Sequence, residues 1–186
     1  DGRDHFQAIT DTGANILTAA QTAFPQGLWW IKDTDNANEH QLVDSVRGGN
    51  LALQCPASGA ETAYVAPSGD SVAWCWKAGG APVTNNDGSI ASQVSANTAA
   101  GFSIVSYEGT GANATVGHGL NSAPKFVITK ERGNTRNWSV YHIGSGNNNI
   151  LFLNLANAKS AAAEYWQNTD PTASVFSIGT STYVNN

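Results

Sequence analysis

Pro25-Gln-Gly-Leu-Trp-Trp-Ile-Lys32 and Pro124-Lys-Phe-Val-Ile-Thr-Lys130 decide the fold, because each is a largely apolar run between a proline and a lysine. When the two lysines are aligned, the residues that follow stay in step, and His40 falls opposite Trp138. Self-similarity of this kind marks a structural unit that occurs more than once in a chain. The sequence therefore predicts one unit that is used twice.

Two further pairs of segments occur in the same order in both halves of the chain. Phe6-Gln-Ala-Ile9 matches Phe102-Ser-Ile-Val105, and an Ala-Asn pair follows each of them after a glycine. Asn50-Leu-Ala-Leu-Gln54 matches Ile150-Leu-Phe-Leu-Asn154, and small residues with a Glu and a Tyr follow each. Matches that keep one order support a duplication more strongly than a single match does.

The repeats set the expected domain boundaries. Residues 1–80 are predicted to form the first β repeat, and residues 101–186 the second. Residues 81–100 are rich in Gly, Ala, Ser, Thr and Asn, which predicts a linker between the repeats. Within that linker, residues 89–94 can add an edge strand.

The repeated segments have the two-residue period of half-buried strands. In residues 138–143, for example, Trp, Val and His alternate with Ser, Tyr and Ile. Asn85-Asn-Asp-Gly88 is a strong turn signal, and only residues 156–166 favour a helix, of one or two turns. We therefore predict an all-β fold, an antiparallel β-sandwich built from two tandem repeats of a short-strand unit, with at most one short helix per repeat.

The charge of the chain excludes some classes of partner. Charged residues make up 12% of the sequence, the net charge is −5, and the nine Lys and Arg residues are scattered singly. Nucleic-acid binding is not expected, because no basic stripe faces a phosphate backbone. Membrane insertion is not expected either, because no apolar run approaches the length of a bilayer span. The first residues are too polar for a signal peptide, and the neutral polar surface suits a rigid β-structure outside cells.

The two cysteines, Cys55 and Cys75, are not spaced like the ligands of a zinc site. Cys75 lies between Trp74 and Trp76 in an apolar, strand-like run. A buried free thiol is the favoured interpretation there, because free cysteine behaves as a small apolar residue. A disulfide between the two cysteines is the alternative.

No convergent set of catalytic groups is visible in the sequence, and we expect no enzymatic activity. His118 is flanked by glycines, which favours a turn histidine that is hydrogen-bonded to backbone over a general base. His142 is interpreted as a satisfied strand histidine. Most of the fourteen acidic residues fall in loops rather than in flanking pairs that would serve glycoside hydrolysis.

The loop Asp33-Thr-Asp-Asn-Ala-Asn-Glu39 resembles a calcium-binding loop in one respect, since oxygen-bearing side chains recur along it. The candidate ligands are Asp33, Asp35, Asn38 and Glu39. The loop lacks the glycine and the distal glutamate of a full calcium loop, and the matching residues 131–137 contain two arginines. An Asx-rich hairpin turn is therefore the favoured interpretation, and no cofactor is expected, with calcium as the alternative.

The aromatic residues offer a binding function. The candidates for a platform on which sugar rings stack are Trp30, Trp138, Tyr141 and Trp166. A core role is the favoured alternative, because a sandwich of this size needs large residues inside it. An exposed Trp can equally mark a contact between subunits.

Several longer motifs resemble a family of repeated domains in tail-fibre and other virion proteins of marine bacteriophages. They include Val72-Ala-Trp-Cys-Trp-Lys-Ala-Gly-Gly80, Gly109-Thr-Gly-Ala-Asn-Ala-Thr-Val-Gly-His-Gly-Leu120, Trp138-Ser-Val-Tyr-His142 and Ser174-Val-Phe-Ser-Ile-Gly179. The resemblance implies a location in the virion or outside cells, and partners that are other virion proteins or copies of the chain. Such units often follow a lectin-like domain.

The chain departs from that family at its end. The second repeat stops at Tyr183-Val-Asn-Asn186, where family members run on into an aromatic strand like residues 72–76. Either the chain is a fragment, or a neighbouring subunit supplies the strand to an open sheet edge.

Two functions from different classes follow. The first is a virion structural or assembly module of a tail fibre, spike or capsid decoration that supports host attachment. The second is a carbohydrate-binding module that itself contacts a glycan on the host surface. The first is favoured, because the repeats, the low charge and the absent terminal strand fit assembly.

Overall fold

Strands make up most of the regular structure in the computed structural model, which describes residues 1–55 and 57–186. After a short 3₁₀ helix at Gly2–Asp4, the first half contains β1 (Phe6–Thr12), α1 (Gly13–Ala23), β2 (Gly27–Asp33), β3 (Gln41–Asp44), β4 (Leu51–Gln54), β5 (Thr62–Ala63) and β6 (Asp70–Lys77). The middle contains β7 (Val83–Asn85), β8 (Ser92–Asn97) and β9 (Phe102–Tyr107). The second half contains β10 (Ala114–Gly117), β11 (Phe126–Thr129), β12 (Ser139–His142), β13 (Asn149–Phe152), β14 (Ser160–Ala161), α2 (Ala163–Trp166) and β15 (Val175–Ile178). The named strands pair antiparallel, so the prediction of an all-β, sandwich-like fold is confirmed.

The first sheet has six strands in the order β1-β6-β2-β3-β4-β5. Along β2, buried residues alternate with half-buried ones, as they do in a strand with one fully covered face. The covered face carries Trp29 and Ile31, and α1 packs over it with Ile16 and Ala20. We call this side the inner face of the first sheet and the opposite side its outer face.

The second sheet has the order β11-β12-β13-β14 and repeats the pairings of β2 to β5 one for one. Trp30 lies opposite Leu42 in the first sheet, and Ile128 lies opposite Val140 in the second. The pairings of the next two strands are repeated in the same way. The two Pro-to-Lys segments of the sequence therefore contain β2 and β11, which occupy equivalent places in equivalent sheets. The pairings also place Ile150 where Ala52 lies, so the predicted match of Asn50 with Ile150 is wrong by two residues, because a shift of two residues preserves the alternation along a strand.

A two-stranded ribbon, β10 with β15, covers the second sheet together with α2. Phe176 of the ribbon belongs to the same buried cluster as Tyr141 and Ile150 of the second sheet. Tyr141 and Ile150 hold the positions that Val43 and Ala52 hold on the inner face of the first sheet. Each sheet therefore has a covered inner face, but the cover is a helix in the first repeat and mainly strands in the second.

The outer faces of the two sheets meet in a third apolar cluster. Leu42, Leu53 and Cys55 of the first repeat pack there against Trp138 of the second, and Ile128 lies beside them. Trp138 Nε1 also donates hydrogen bonds across the boundary to backbone carbonyls of the first repeat. The two repeats are consequently packed into one body.

Residues 81–100 do not form a linker. They contain β7 and β8, which join β9 in a three-stranded sheet of the order β7-β8-β9. The strand expected at residues 89–94 is β8, which begins later and lies in the centre of that sheet rather than at its edge. Ser92 and Val94 of β8 are buried and point to the same side of the strand. The linker prediction was wrong because the composition of this stretch, rich in small polar residues, does not show that pattern.

The helices differ from expectation in position. Residues 156–166 form only the single turn of α2, preceded by β14. The three-turn helix α1 was not predicted, although Ile16, Ala20 and Phe24 follow the four-residue spacing of a helix face. The alignment with the second repeat hid α1, because the matching Ala112-Asn113 pair leads into the strand β10. Among the described residues, no helix is long and apolar enough to cross a membrane.

Cys55 and Cys75 are both free and buried, so the favoured interpretation is confirmed. Cys75 belongs to the inner core of the first repeat, whereas Cys55 belongs to the cluster between the repeats. Burial raises the pKa of each thiol to about 11. Neither thiolate is therefore populated at neutral pH in the folded protein.

Both thiols are expected to be unreactive toward a disulfide reagent such as Ellman's reagent while the protein is folded. Two thiols per chain should react once guanidinium chloride unfolds it, because reagent access and the thiolate form both require opening of the cores. Absorbance of the released thionitrobenzoate measures this directly. Rapid reaction of either cysteine under native conditions would contradict the burial described above.

Candidate functional site

A cavity of about 1080 Å³ lies between the two repeats. On one side it is lined by β9 and β11, and on the other by Leu28, Leu42 and Leu53 from the outer face of the first sheet. Asp44, Arg47 and other charged residues also line it. We call this space the inter-repeat cavity.

Four charged side chains form a network at the inter-repeat cavity. Arg47 donates from Nε to Asp44 Oδ2 and from a terminal nitrogen to Glu61 Oε1, the latter at 2.7 Å. Arg132 of the second repeat donates to both oxygens of Glu61, at 3.0 and 2.6 Å. Glu61 is therefore held by one arginine from each repeat, and the network crosses the boundary between them.

Burial makes this network different from a surface ion pair. The side chains of Arg47 and Asp44 are 7% and 6% exposed, and that of Glu61 is 12% exposed. Burial alone would raise the pKa of Glu61, but the hydrogen bonds from Arg132 and Arg47 outweigh it and lower that pKa. Because each of these charges has a partner, the network acts as a clamp and offers no free acid or base for catalysis.

No motif or period in the sequence predicts the clamp. Arg47 lies outside the matching segments of the repeats, and the Glu-Tyr match that includes Glu61 indicates only a shared short segment. In the sequence, Arg132 bears only on the calcium hypothesis, as one of the two arginines in residues 131–137. Long-range ion pairs of this kind leave no period in a single sequence, so only the fold brings them together.

His118 lies at the inter-repeat cavity, and both of its ring nitrogens contact backbone groups. Its Nδ1 accepts from the N–H of Leu120, and its Nε2 lies 3.2 Å from the carbonyl oxygen of Thr172. Burial lowers its pKa, so the neutral ring, with Nε2 as the donor, fits both contacts. The interpretation of a turn histidine bound to backbone is confirmed.

His142 is likewise satisfied by its own turn. Its Nδ1 accepts a hydrogen bond of 3.1 Å from the N–H of Gly144, at the end of β12. The ring is exposed and stacks edge-on with Phe126 at 6.2 Å. His118 lines the inter-repeat cavity whereas His142 does not, so the two histidines do not share that site.

The Asp33 loop is an Asx-rich turn. Asp33 Oδ1 accepts from the backbone N–H groups of Asp35 and Asn36, each at 3.0 Å, and Oδ2 accepts from Asn38 Nδ2 at 2.8 Å. Asp35 Oδ2 accepts from the N–H of Asp70, and Glu39 is exposed. Within residues 1–55 and 57–186, no three His, Cys, Asp or Glu side chains are grouped to hold a metal ion.

The same turn is built in both repeats. Lys32 Nζ donates to the carbonyl oxygens of Asp33 and Asn36, and Lys130 Nζ donates to those of Glu131 and Asn134. The Glu131 carboxylate in turn accepts from the backbone N–H groups that follow it, as Asp33 does. The aligned lysines therefore close a hairpin, and this structural role accounts for the acidic residues beside them.

Calcium is expected to leave the thermal unfolding midpoint unchanged. A resident site at a hundredfold excess over its dissociation constant would stabilise the fold by about 2.7 kcal/mol, but the oxygens of Asp33 are already occupied by protein donors. Differential scanning fluorimetry in millimolar calcium, with magnesium as the matched salt control, measures this. A midpoint that rises with calcium alone would contradict the turn assignment.

Three of the four aromatic residues proposed as a stacking platform lie in the core. Trp138, Tyr141 and Trp166 are 4%, 2% and 2% exposed. Tyr141 and Trp166 pack edge to face at 6.1 Å, and the Tyr141 hydroxyl donates to Asp170. The expectation of an exposed platform does not hold for these three residues, because Trp138 fills the cluster between the repeats and the other two pack in the inner core of the second repeat.

Trp30 belongs instead to an aromatic row on the outer face of the first sheet. The row runs through Phe6, Trp76, Trp30, His40 and Trp74. Its rings are half-buried, apart from that of Phe6, which is 39% exposed. Trp30 Nε1 donates to His40 Nδ1 at 2.8 Å, so the orientation of these two rings is fixed.

The row arises from strand geometry. Alternate residues of a strand point to the same face, so Trp74 and Trp76 of β6 share the outer face with Trp30 of β2. Phe6 of β1 lies opposite Trp76 across the next pairing, with ring centroids 5.1 Å apart. The sequence showed the tryptophans but not which ones would share a face, because the strand order places β6 between β1 and β2.

Comparison with known proteins gives a family but no characterised relative. The model of the family described as a domain of unknown function (DUF7483) matches residues 58–186, more than half of the chain. The match begins ahead of β6 and covers the whole second repeat. Neither the curated proteins nor the solved structures contain a match.

Proposed function

This chain belongs to the family described as a domain of unknown function (DUF7483), and we propose that it is a non-enzymatic structural module of a bacteriophage particle. In this role it is part of a tail fibre, spike or capsid decoration and supports attachment to the host. Its partners are other virion proteins. It is located in the virion or outside cells.

The observation that carries this proposal is the coupling of the two repeats. Trp138 fills the apolar cluster between the outer faces. At the same boundary, Glu61 accepts hydrogen bonds from one arginine of each repeat. Repeats that are fixed to one another transmit load and hold a defined orientation, which a fibre or spike requires. The resemblance of the long motifs to phage virion proteins supplies the biological setting.

The chemistry of the polar side chains is consistent with this role. Asp33 and Glu131 close turns, His118 supports backbone, and Glu61 belongs to the clamp. Each of these groups is used to hold the fold. A structural module needs nothing more from them.

Detection of the chain in purified particles tests this proposal. Particles released from a culture that carries the gene are banded in a density gradient, and peptides of the chain are quantified by mass spectrometry. We expect them to band with the capsid proteins at a fixed ratio. Peptides that stay in the soluble fraction and never enter the particle band would overturn the proposal.

Binding of a host glycan is a second candidate function, and the aromatic row favours it. Phe6, Trp76 and Trp74 present partly exposed rings on one face of a rigid sheet, the arrangement on which sugar rings stack. In this case the module itself contacts the host surface. The row replaces the set of residues expected from the sequence, of which only Trp30 is retained.

A glycan array separates the two functions. If the row binds sugar, we expect Trp76→Ala to abolish array signals that Val65→Ala preserves, since Val65 is 69% exposed and lies outside the row. Circular dichroism of both variants checks that the fold is intact. Array signals that are absent from the natural protein, or unchanged in Trp76→Ala, would reject glycan binding by the row.

A further inference from the structure

Among residues 1–55 and 57–186, one strand of the first sheet has no equivalent in the second. In the first sheet, β6 lies between β1 and β2 and pairs antiparallel with both. The counterpart of β2 is β11, and the counterpart of β1 in sequence is β9. Among the described residues, β9 pairs only with β8, and β11 pairs only with β12. Both strands therefore have one unpaired edge.

Core packing supports the equivalence of β9 and β1. Ile9 of β1 packs against the inner core of the first repeat, and the aligned Val105 of β9 packs against that of the second. The second repeat thus keeps the strands on either side of the missing position. No strand in the described part of the chain lies between them.

The inter-repeat cavity lies at this position. All residues of β9 and β11 line it. Phe176 and Leu120 line it from the ribbon side, while Leu28 and Leu42 line it from the first sheet. A strand placed between β9 and β11 would therefore be covered on both faces and paired on both edges.

Two local features fit an unfilled strand position. Every residue of β9 is half-buried, rather than alternately buried and exposed, so neither face of the strand is fully covered. Thr129 Oγ1 on β11 lines the cavity and has no hydrogen-bond partner among the described residues, although it is buried. Unsatisfied buried hydroxyls are uncommon in folded proteins.

The chemistry of a matching strand is given by β6. Its inner-face residues Ala73 and Cys75 are small and fully buried. Its outer-face residues Val72, Trp74 and Trp76 are large and half-buried. By the same pairing, a guest residue equivalent to Cys75 would lie beside Val127, which is the counterpart of Trp29.

We propose that the inter-repeat cavity is a slot for one extended segment of a partner polypeptide, which adds as an antiparallel strand between β9 and β11. The segment has the chemistry of β6, with small residues on its inner side and large apolar residues on its outer side. Backbone hydrogen bonds on two edges supply affinity, and the alternating pockets supply selectivity. This inference deepens the assembly role proposed above, and it rests on that role for the claim that the donor is a particle protein.

A peptide that copies β6 tests the slot. The probe is residues 70–77 with Cys75→Ser and a fluorescent label, added to the intact chain and followed by fluorescence anisotropy. The matched control carries Ala73→Pro and Cys75→Pro, which remove backbone donors and prevent strand pairing. Hydrogen exchange with mass spectrometry then locates the bound probe.

We expect saturable binding of one peptide per chain and none of the proline control. Amides of β9 and β11 should exchange at least about tenfold more slowly in the complex, because pairing protects them, while those of β1 and β2 stay unchanged. Absence of binding, or protection elsewhere, would overturn the proposal. Protection of β9 and β11 that instead appears with rising protein concentration, without peptide, would assign the slot to a second copy and also overturn it.

The experiment is independent of the particle test. Peptide binding is measured on the isolated chain, so its failure leaves the detection of the chain in particles standing. Conversely, a chain that is absent from particles can still bind the peptide, and the slot would then serve a different partner.

Discussion

Replacing Trp138 with alanine is expected to lower the free energy of unfolding by about 4 kcal/mol, as truncation of a buried tryptophan does. The ring fills the cluster between the repeats, and its Nε1 donates to the carbonyl oxygens of Gln54 and Ala57 at 3.2 and 3.0 Å. The variant should therefore lose packing at the boundary and leave two acceptors without that donor. Equilibrium unfolding in urea measures the loss.

Phe126→Ala is the control for this prediction. Phe126 is an aromatic residue of the same repeat but is 52% exposed, so its loss should cost no more than about 1 kcal/mol. If the boundary couples the repeats, the Trp138 variant should also unfold less cooperatively, with a lower dependence on urea. Equal effects of the two substitutions would show that Trp138 does not join the repeats.

Arg47→Met is expected to destabilise the protein by about 3 to 5 kcal/mol, which is the usual result when one member of a buried ion network is removed. Methionine keeps much of the apolar stem but leaves Asp44 without its arginine partner and Glu61 with only Arg132. Arg3→Met, at a side chain that is 85% exposed, should change stability by less than about 0.5 kcal/mol. Parallel thermal and urea unfolding compares the two variants.

The pH dependence of the stability difference between the natural protein and Arg47→Met tests whether the ion network causes it. Glu61 has a pKa below its usual 4.5, because the hydrogen bonds from both arginines outweigh the effect of burial. A carboxyl group whose pKa is lowered by folding contributes stability above the unfolded value, and that contribution is lost as the pH falls through the folded value. The natural protein should therefore lose more stability than Arg47→Met as the pH falls below 4.5. A difference between the two proteins that stays constant down to pH 3 would point to lost packing instead.

The parts of the fold that could be predicted are those with a local period or a repeated sequence. Aligning Lys32 with Lys130 places β2 and β11 in equivalent positions, and the pairings Trp30 with Leu42 and Ile128 with Val140 follow that alignment. Each lysine also closes the turn after its strand. Similar sequences gave similar structure there because the same contacts are local to each repeat.

Prediction was poorer where the repeats diverge. The helix α1 begins at Gly13, directly after the last residue of β1. The backbone of Pro67 lies so close here that a Cβ would be 2.0 Å from its carbonyl oxygen. In the alignment of the repeats, Ala14-Asn15 matches Ala112-Asn113, which precedes the strand β10 and does not indicate a helix. Residues 81–100 contain two strands because β9 provides a partner for β8, which composition does not reveal. Strand pairing therefore determined the second outcome, whereas in the first the match with the other repeat obscured a helical spacing that the sequence contains.

The candidate sites were the hardest part to predict. Exposure of a tryptophan depends on which surfaces pack together. Trp138 fills the cluster between the repeats, whereas Trp166 lies in the inner core of the second repeat, so neither forms the predicted exposed platform. The clamp joins Arg47, Glu61 and Arg132 from distant parts of the chain. Contacts of this kind follow from the assembled fold alone.

Hydrogen exchange of the isolated chain at low concentration tests most directly whether the second repeat is the first repeat without its β6. Strands paired on both edges protect all their amides, whereas an edge strand leaves alternate amides unpaired. We predict that β6 and β2 are protected throughout, and that alternate amides of β9 and β11 exchange at least about tenfold faster. Protection of every amide of β9 and β11 to the level of β6 and β2 would contradict the open strand position.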